Sequence, residues 1–234
     1  RSHCGGGIVW FLKDLVPGAG WGIIDSDNFA KPVYYFLKRA WGPVSIRLTD
    51  NGLDGIQIGI VNEGEVQHSL DLTVSLLRSP GTVIAQGGSK IDLASGSEVE
   101  VSVDKLLGRF FDPTYTYRCG PPKHDVVAVT LKNSQGDLVA SQCYFPDSYD
   151  LEMQANADLS IDMVENNNGI LITLQTDSFL QFAQLKARNW EFDDNYGHLI
   201  PGVNYQFQAT RVNDADTPLR ISLSAINLSR TLLL

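Results

Sequence analysis

The sequence predicts a mainly β protein in which two antiparallel β-sandwiches follow a single βα unit. An apolar run and a helical pattern occupy the first 42 residues, and from residue 43 apolar and polar residues alternate with a period of two. A polar break near residue 150 separates two sets of alternating segments. The predicted domains are therefore residues 1–42, 43–150 and 151–234.

The first 42 residues have the pattern of a strand, a loop and a helix. Residues 8–12 form a continuous apolar run, which is typical of a strand buried on both faces of a parallel sheet. A glycine-rich loop follows, and then a helix predicted from about Lys31 to Trp41, with Pro32 in its first turn. A lone parallel strand has no partner for its backbone groups, so the simplest explanation is a sheet whose other strands lie outside this sequence.

The remaining sequence consists of short alternating segments separated by turn residues, as expected for antiparallel sandwiches. Asn168 and Gly169 predict a hairpin turn in the second set, and residues 146–156 predict a linker between the sets. The predicted strands lie near 56–60, 70–76, 99–103, 127–131 and 138–145, and then near 159–163, 170–174, 179–185, 205–209 and 219–226.

Charge and composition exclude several classes of function. The formal net charge of -9 argues against a nucleic-acid partner and against binding to anionic membranes, and no apolar run reaches the roughly 20 residues that span a bilayer. The four histidines are scattered, so no metal or cofactor is predicted. Three cysteines form no disulfide framework, although a bridge between Cys119 and Cys143 stays open.

Five segments of the chain resemble one enzyme family. Residues 9–14, 17–25 and 31–35 are similar to the end of the catalytic barrel in glycoside hydrolase family 2, and most similar to bacterial β-mannosidase-like members. Residues 115–125 and 194–202 extend the resemblance toward the family's C-terminal immunoglobulin-like domains. The resemblance implies two immunoglobulin-like β-sandwiches preceded by one βα remnant of a (β/α)8 barrel. It leaves the localisation open between the bacterial cytoplasm and the periplasm.

The same resemblance implies that the catalytic residues and this sequence belong to different parts of a larger enzyme. In this family two glutamates about 5 Å apart carry out a retaining glycoside hydrolysis. They stand on the fourth and seventh barrel strands, whereas this sequence begins near the eighth. We therefore expect no catalytic residue here, an inactive chain, and a parent O-glycosyl hydrolase of carbohydrate metabolism. Its expected partners are the missing barrel and N-terminal domains and, in the whole enzyme, a β-mannoside-type glycan.

Trp10, Asp14 and Trp21 are the substrate-binding candidates that the resemblance implies. Sites of such barrels lie at the carboxyl ends of the strands, where a tryptophan can stack on a sugar ring and a carboxylate can accept a hydroxyl hydrogen bond. The alternative is that both tryptophans only pack the loop. Phe11 and Lys13 depart from the Gln and Asn of better-known mannosidases, which leaves the sugar preference open.

Several alternatives remain at the level of sequence. Residues 193–195 suit a turn better than a calcium site, and Trp190, Phe192 and Tyr196 suit packing better than a sugar platform. Residues 227–229 match a glycosylation sequon. An independent carbohydrate-binding module and a structural immunoglobulin-like tandem are the competing functions. We also expect Ile8 and its apolar neighbours to be exposed, and residues 1–40 to be poorly ordered or packed differently from an intact barrel.

Overall fold

The computed structural model describes residues 7–212 and 218–234. Across these two ranges, no helix is both long enough and apolar enough to cross a membrane. The N-terminal residues His3 and Cys4 lie outside the described ranges.

One helix, α1 (Pro32–Ala40), precedes the sandwiches and agrees with the predicted helix. Pro32 occupies its first turn and two cations lie in its last turn, where they suit the helix dipole. Residues 8–12 carry no named strand. Isolated bridges join Lys13 to Ile24 and Ile24 to Ala30 instead, and the described chain provides no neighbouring strand with which residues 8–12 could form a ladder.

The first sandwich packs a three-stranded sheet, ordered β1-β2-β5, against a four-stranded sheet, ordered β4-β3-β6-β7. All of its strand pairs are antiparallel. Ile56, Ile58 and Ile60 are fully buried, which confirms the predicted core face of β2. The strands are β1 (Val44–Asp50), β2 (Ile56–Asn62), β3 (His68–Arg78), β4 (Thr82–Leu93), β5 (Ser97–Ser102), β6 (Val126–Lys132) and β7 (Leu138–Tyr144).

Two features of this sandwich depart from the predicted strands. The strands β1 and β4 were not predicted, and in β4 the alternation is interrupted by Gly87 and Gly88. A Cβ at Gly87 would overlap the carbonyl oxygen of Leu106, so the close approach of the next helix explains this glycine. That helix, α2 (Val103–Leu107), begins where the third predicted strand, near 99–103, was expected to end, and Val103 is buried.

The second sandwich consists of two four-stranded sheets, ordered β11-β13-β9-β8 and β12-β10-β14-β15. The β8–β9 hairpin turns at Asn167 and Asn168, and Asn166 pairs with Gly169, so the turn lies one residue before the predicted one. The strands are β8 (Leu159–Asn166), β9 (Gly169–Thr176), β10 (Leu180–Lys186), β11 (Trp190–Phe192), β12 (Gly197–Leu199), β13 (Tyr205–Arg211), β14 (Ser222–Ser224) and β15 (Leu232–Leu233).

The two sandwiches share a buried interface. Val127 and Val129 on β6 face the first core, whereas Val126 and Ala128 face the core of the second sandwich. This two-sided burial explains why β6 is apolar almost throughout. The predicted linker is part of the packing, since Leu151 and Gln154 are both buried.

The cysteine pair that the sequence left open is not bonded. Cys119 is exposed on a loop and Cys143 lies in β7, and both are free thiols. Burial raises the pKa of the Cys143 thiol, which keeps this group protonated and unreactive.

Candidate functional site

Asp14 organises the loop that contains the predicted sugar-binding residues. Its side chain is 7% exposed, and one carboxylate oxygen accepts a 2.6 Å hydrogen bond from the backbone N–H of Gly22. The other oxygen forms an ion pair with the ammonium group of Lys31, at the start of α1. The hydrogen bond from Lys31, followed by that from Gly22, holds the pKa of Asp14 below its usual value although burial acts in the opposite direction.

Glycine is required where this loop wraps around the carboxylate. A Cβ at Gly20 would overlap the carboxylate of Asp14, and one at Gly22 would lie 2.5 Å from the backbone nitrogen of Asp14. The backbone N–H of Asp14 donates a 3.0 Å hydrogen bond to the carbonyl of Ile24. Both oxygens of Asp14 therefore have partners in the chain, which indicates a positioning role more than a direct contact with a sugar hydroxyl.

Trp10 and Trp21 present their rings to solvent, with exposed fractions of 67% and 74%. Trp10 lies beside Phe11, with the ring centroids 5.5 Å apart and the rings tilted by 39°. In the described structure no ring contact joins Trp10 to Trp21. The arrangement thus connects Asp14 to the loop of Trp21, while Trp10 stands on the preceding extended segment.

These rings are part of a larger exposed apolar area, which we call the N-terminal apolar surface. Ile8 is 93% exposed and Leu12 is 66% exposed, so the prediction that they lack cover is confirmed. Large exposed apolar side chains in such number along one segment are typical of a site of interaction with another protein segment or a ligand. The N-terminal apolar surface consists of Ile8, Trp10, Phe11, Leu12, Leu15, Val16 and Trp21.

The second sandwich holds the last turn of α1. Arg39 forms an ion pair with Asp194 and donates a 2.9 Å hydrogen bond to the carbonyl of Asn195. Lys38 donates a hydrogen bond to the carbonyl of Asp193. Burial raises the pKa of Asp194 despite the nearby guanidinium of Arg39. The polar contacts join α1 to residues more than 150 positions away in the chain.

Aromatic contacts extend the same junction along α1. Tyr35 is buried, and its hydroxyl donates a 3.4 Å hydrogen bond to the carbonyl of Phe192. Its ring lies 5.8 Å from that of Tyr196, and Phe36 lies 5.9 Å from Phe182. Burial raises the pKa of Tyr35 to about 12, so the hydroxyl remains a donor at neutral pH.

The residues proposed for calcium or sugar binding in the second sandwich serve its packing. Asp193 accepts a 2.8 Å hydrogen bond from the backbone N–H of Gln208, and Asn195 accepts one of 2.8 Å from Leu185. Trp190 and Phe192 are 5% and 6% exposed. The geometry therefore favours the turn and packing interpretations of these residues.

The sequon at residues 227–229 is inaccessible in the folded chain. Asn227 is 1% exposed. Its side-chain oxygen accepts a 2.8 Å hydrogen bond from the backbone N–H of Gln181, and its nitrogen donates one of 2.8 Å to the carbonyl of Phe179. The side chain thus completes the backbone hydrogen bonds of two residues and cannot carry a glycan in this state.

Sequence reasoning did not identify the environment of His198. This side chain packs against three phenylalanine rings, and its Nδ1 accepts a hydrogen bond of 3.3 Å from the backbone N–H of Phe182. Phe182 has a φ of +50° at a bulge in β10, where the regular pairing with β12 is interrupted. The imidazole therefore accepts the backbone N–H that would otherwise pair within the sheet. Burial, together with the charge of Arg39, lowers the pKa of His198 to about 4.

Comparisons with known proteins agree with the architecture. No model of a known protein family matches the chain. A β-mannosidase B from Aspergillus clavatus is 23% identical over 231 residues, which is 94% of this chain and 27% of that protein. A β-mannosidase B from Aspergillus niger is 41% identical over 46 residues, which is 20% of this chain and 6% of that protein. The chain therefore spans about a quarter of the length of the Aspergillus clavatus protein.

Solved structures show the same fold. A β-D-mannosidase from Dictyoglomus thermophilum matches with a TM-score of 0.73 and 21% identity, over 94% of this chain and 26% of that one. An exo-chitosanase from Amycolatopsis orientalis matches with a TM-score of 0.68 and 17% identity, over 96% of this chain and 30% of that one. The fold and the relatives together define a region related to glycosidases. More closely, the resemblance to the C-terminal region of β-mannosidase-like members of glycoside hydrolase family 2 is confirmed.

Proposed function

We propose that this chain is the non-catalytic C-terminal portion of a retaining glycoside hydrolase that acts on β-mannosides or related β-glycosides. Residues 1–42 would complete the catalytic barrel, and the sandwiches at 43–150 and 151–234 would brace it. The observation that carries this proposal is the continuous path of contacts from the second sandwich, through α1, to the loop that presents Trp21.

The path begins at the C-terminal end of α1. Asp194 and the neighbouring carbonyls hold Arg39 and Lys38, which fixes the helix against the second sandwich. A helix transmits this constraint along its length because each turn is hydrogen-bonded to the next. The sandwich therefore sets the position of Lys31 at the opposite end of α1.

The path continues from Lys31 to the loop. The ammonium group of Lys31 pairs with Asp14 and also donates a 3.1 Å hydrogen bond to the carbonyl of Gly20. Asp14 in turn binds the N–H of Gly22. The residue between these two glycines is Trp21, so two hydrogen bonds from the Asp14–Lys31 pair, one to each glycine, define the backbone that carries its indole.

The exposed rings are suited to a sugar. The face of an indole offers apolar contact and C–H/π attraction to a pyranose, and Trp10 and Trp21 both present exposed rings. Asp14 acts here as a positioning residue. The apolar side chains around the tryptophans, such as Ile8 and Leu12, would be covered by the neighbouring strands of the barrel.

The reaction itself would take place on the missing part of the barrel. Retaining hydrolysis needs an acid/base and a nucleophile about 5 Å apart, and the family resemblance assigns both to strands that precede this chain. Its own contribution is to orient the substrate, because small errors of position lower the rate of the chemical step.

The two competing functions have weaker support. A carbohydrate-binding module built on the second sandwich needs an exposed aromatic platform there, whereas Trp190 and Phe192 are buried. A purely structural tandem does not explain why the buried carboxylate of Asp14 pairs with Lys31 and shapes a loop that carries an exposed tryptophan.

Hydrolysis of an aryl β-D-mannoside by this chain alone tests the absence of catalytic groups. No turnover is expected at high protein concentration, since both glutamates would be missing. Turnover that co-purifies with the chain would show that a carboxylate pair exists among residues assigned here to structure.

Kinetics of the longer enzyme test the binding role. Trp21→Ala should raise KM for the β-mannoside by about fivefold, because aromatic contacts of this kind contribute on the order of 1 kcal/mol. Trp41→Ala is a matched control, since Trp41 is 60% exposed but lies at the far end of α1. Equal effects of the two substitutions would contradict the role assigned to Trp21.

A further inference from the structure

The first sandwich contains a cleft unrelated to the N-terminal apolar surface. The loop between α2 and β6 encloses a volume of about 520 Å³. Its walls combine aromatic rings, prolines and cations. The lining residues that matter for the argument are Arg109, Phe110, Asp112, Tyr117, Cys119 and Lys123.

Hydrogen bonds within the loop hold the cleft in a defined shape. The two carboxylate oxygens of Asp112 accept hydrogen bonds of 2.9 Å each from the backbone N–H groups of Thr116 and Tyr117. The hydroxyl of Tyr117 donates a 3.1 Å hydrogen bond to the carbonyl of Leu53. Since the phenol is tied at its tip, the orientation of the Tyr117 ring is set before any ligand arrives.

Two aromatic rings of the cleft remain open to solvent. Phe110 is 69% exposed and Tyr117 is 45% exposed, and their rings meet edge to face with centroids 5.4 Å apart. Exposed, oriented rings of this kind provide an apolar wall that matches the face of a pyranose.

The charges of the cleft favour an anion. The guanidinium of Arg109 lies over Phe111 at 4.6 Å, and Lys123 is exposed. Within residues 7–212 and 218–234, neither of these cations forms an ion pair. The carboxylate of Asp112 is already occupied by backbone donors. The lining therefore carries two cations and the single carboxylate of Asp112, an excess of one positive charge in a chain whose net charge is -9.

We propose that this cleft binds a carboxylated sugar, namely a hexuronate unit of an acidic oligosaccharide. The sugar ring packs against Phe110 and Tyr117, and its carboxylate pairs with Arg109 and Lys123. A guanidinium suits a carboxylate because it can donate two parallel hydrogen bonds. The site is independent of the hydrolysis proposed above.

Calorimetric titration of the whole chain tests the proposal. A uronate-containing oligosaccharide should bind, and a neutral manno-oligosaccharide of equal length should bind at least about tenfold more weakly. Phe110→Ala and Arg109→Gln should each weaken binding of the acidic sugar by about tenfold. Both side chains are exposed, so folding should survive these changes. Phe29→Ala is the matched control, because Phe29 is 57% exposed but lies in the N-terminal segment.

The exposed thiol of Cys119 provides a second readout inside the cleft. In a Cys4→Ser background, the acidic oligosaccharide should slow alkylation of Cys119, and Phe110→Ala should remove this protection. Equal binding of neutral and acidic sugars, equally tight binding of acetate, or no saturable binding up to about 10 mM would each overturn the proposal. Trp21→Ala should leave the binding intact, so failure here is distinguishable from failure of the proposed hydrolase role.

Discussion

Acidification from pH 7.5 to 5 should destabilise the protein through His198. In the folded chain the pKa of this imidazole is about 4, compared with 6.5 for an unperturbed histidine. At pH 5 the unfolded chain therefore binds a proton at this position, whereas most folded chains do not. Because the unfolded state binds more protons, the free energy of unfolding falls as the pH decreases.

The magnitude follows from the two pKa values. Each unit of difference corresponds to about 1.4 kcal/mol, and the full difference of about 2.5 units is expressed only below pH 4. At pH 5 the expected loss is about 2 kcal/mol, and most of it arises below pH 6.5. His198 keeps some contact with solvent, so this figure is an upper bound.

Urea denaturation followed by circular dichroism at both pH values measures this effect. His198→Phe removes the titrating group and preserves a ring, at a cost of about 1 kcal/mol at pH 7.5 for the hydrogen bond from Phe182. Its pH dependence should be smaller than that of the wild type by up to about 2 kcal/mol. The buried His124, whose pKa is also lowered by burial, would retain its own share in both proteins.

Phe145→Leu is a suitable control for the same cluster. Phe145 lies 5.2 Å from the ring of His198, so its truncation weakens the packing without removing a titrating group. This variant should be less stable at both pH values and retain the wild-type pH dependence. The reasoning is refuted if His198→Phe keeps the full pH dependence of the wild type.

Three further outcomes are expected. Gly87→Ala should lower stability by about 1–3 kcal/mol in denaturant unfolding, because its Cβ would overlap a carbonyl of α2; Gly7→Ala, which meets open space, should be neutral. Arg39→Met should accelerate amide hydrogen exchange in α1, whereas Arg47→Met, which loses only exposed ion pairs on the first sandwich, should not. The lowered pKa of Asp14 means that its contribution to loop stability is present above pH 3.8 and is lost as the pH falls further, which limited proteolysis with an acid protease would detect.

Local periodicity was sufficient to predict much of the architecture. Ile56, Ile58 and Ile60 alternate with more polar residues because one face of β2 packs on a core, and this pattern is visible in any single strand. The helix α1 was predicted for an equally local reason, since Pro32 favours a first helical turn. The family motifs added the glycosidase resemblance, which periodicity alone does not contain.

Where an element meets a distant neighbour, its local sequence was less informative. Gly87 and Gly88 hid β4 from the sequence pattern. Both are glycines because neighbouring backbone lies too close for a Cβ, at Leu106 of α2 and at Leu72 of β3. Residues 8–12 have the composition of a buried strand, but a strand needs a neighbouring strand. In the described residues this segment receives hydrogen bonds from Ile23 and Ile24 at its end and pairs with no named strand. Asn227 matches a sequon, yet folding buries it against Gln181, 46 residues away in sequence.

The candidate site shows the same division between local and distant information. The residue types at Trp10, Asp14 and Trp21 could be identified from the motif, whereas the burial of Asp14 and the exposure of both tryptophans are visible only in the folded chain. The use of Asp14 as a positioning group depends on Lys31, and the support of α1 depends on Asp194, 155 residues from Arg39. Such pairings arise when a folded chain brings remote groups together, and no pattern of neighbouring residues encodes them, because the contacts that satisfy buried charges are set by packing in three dimensions.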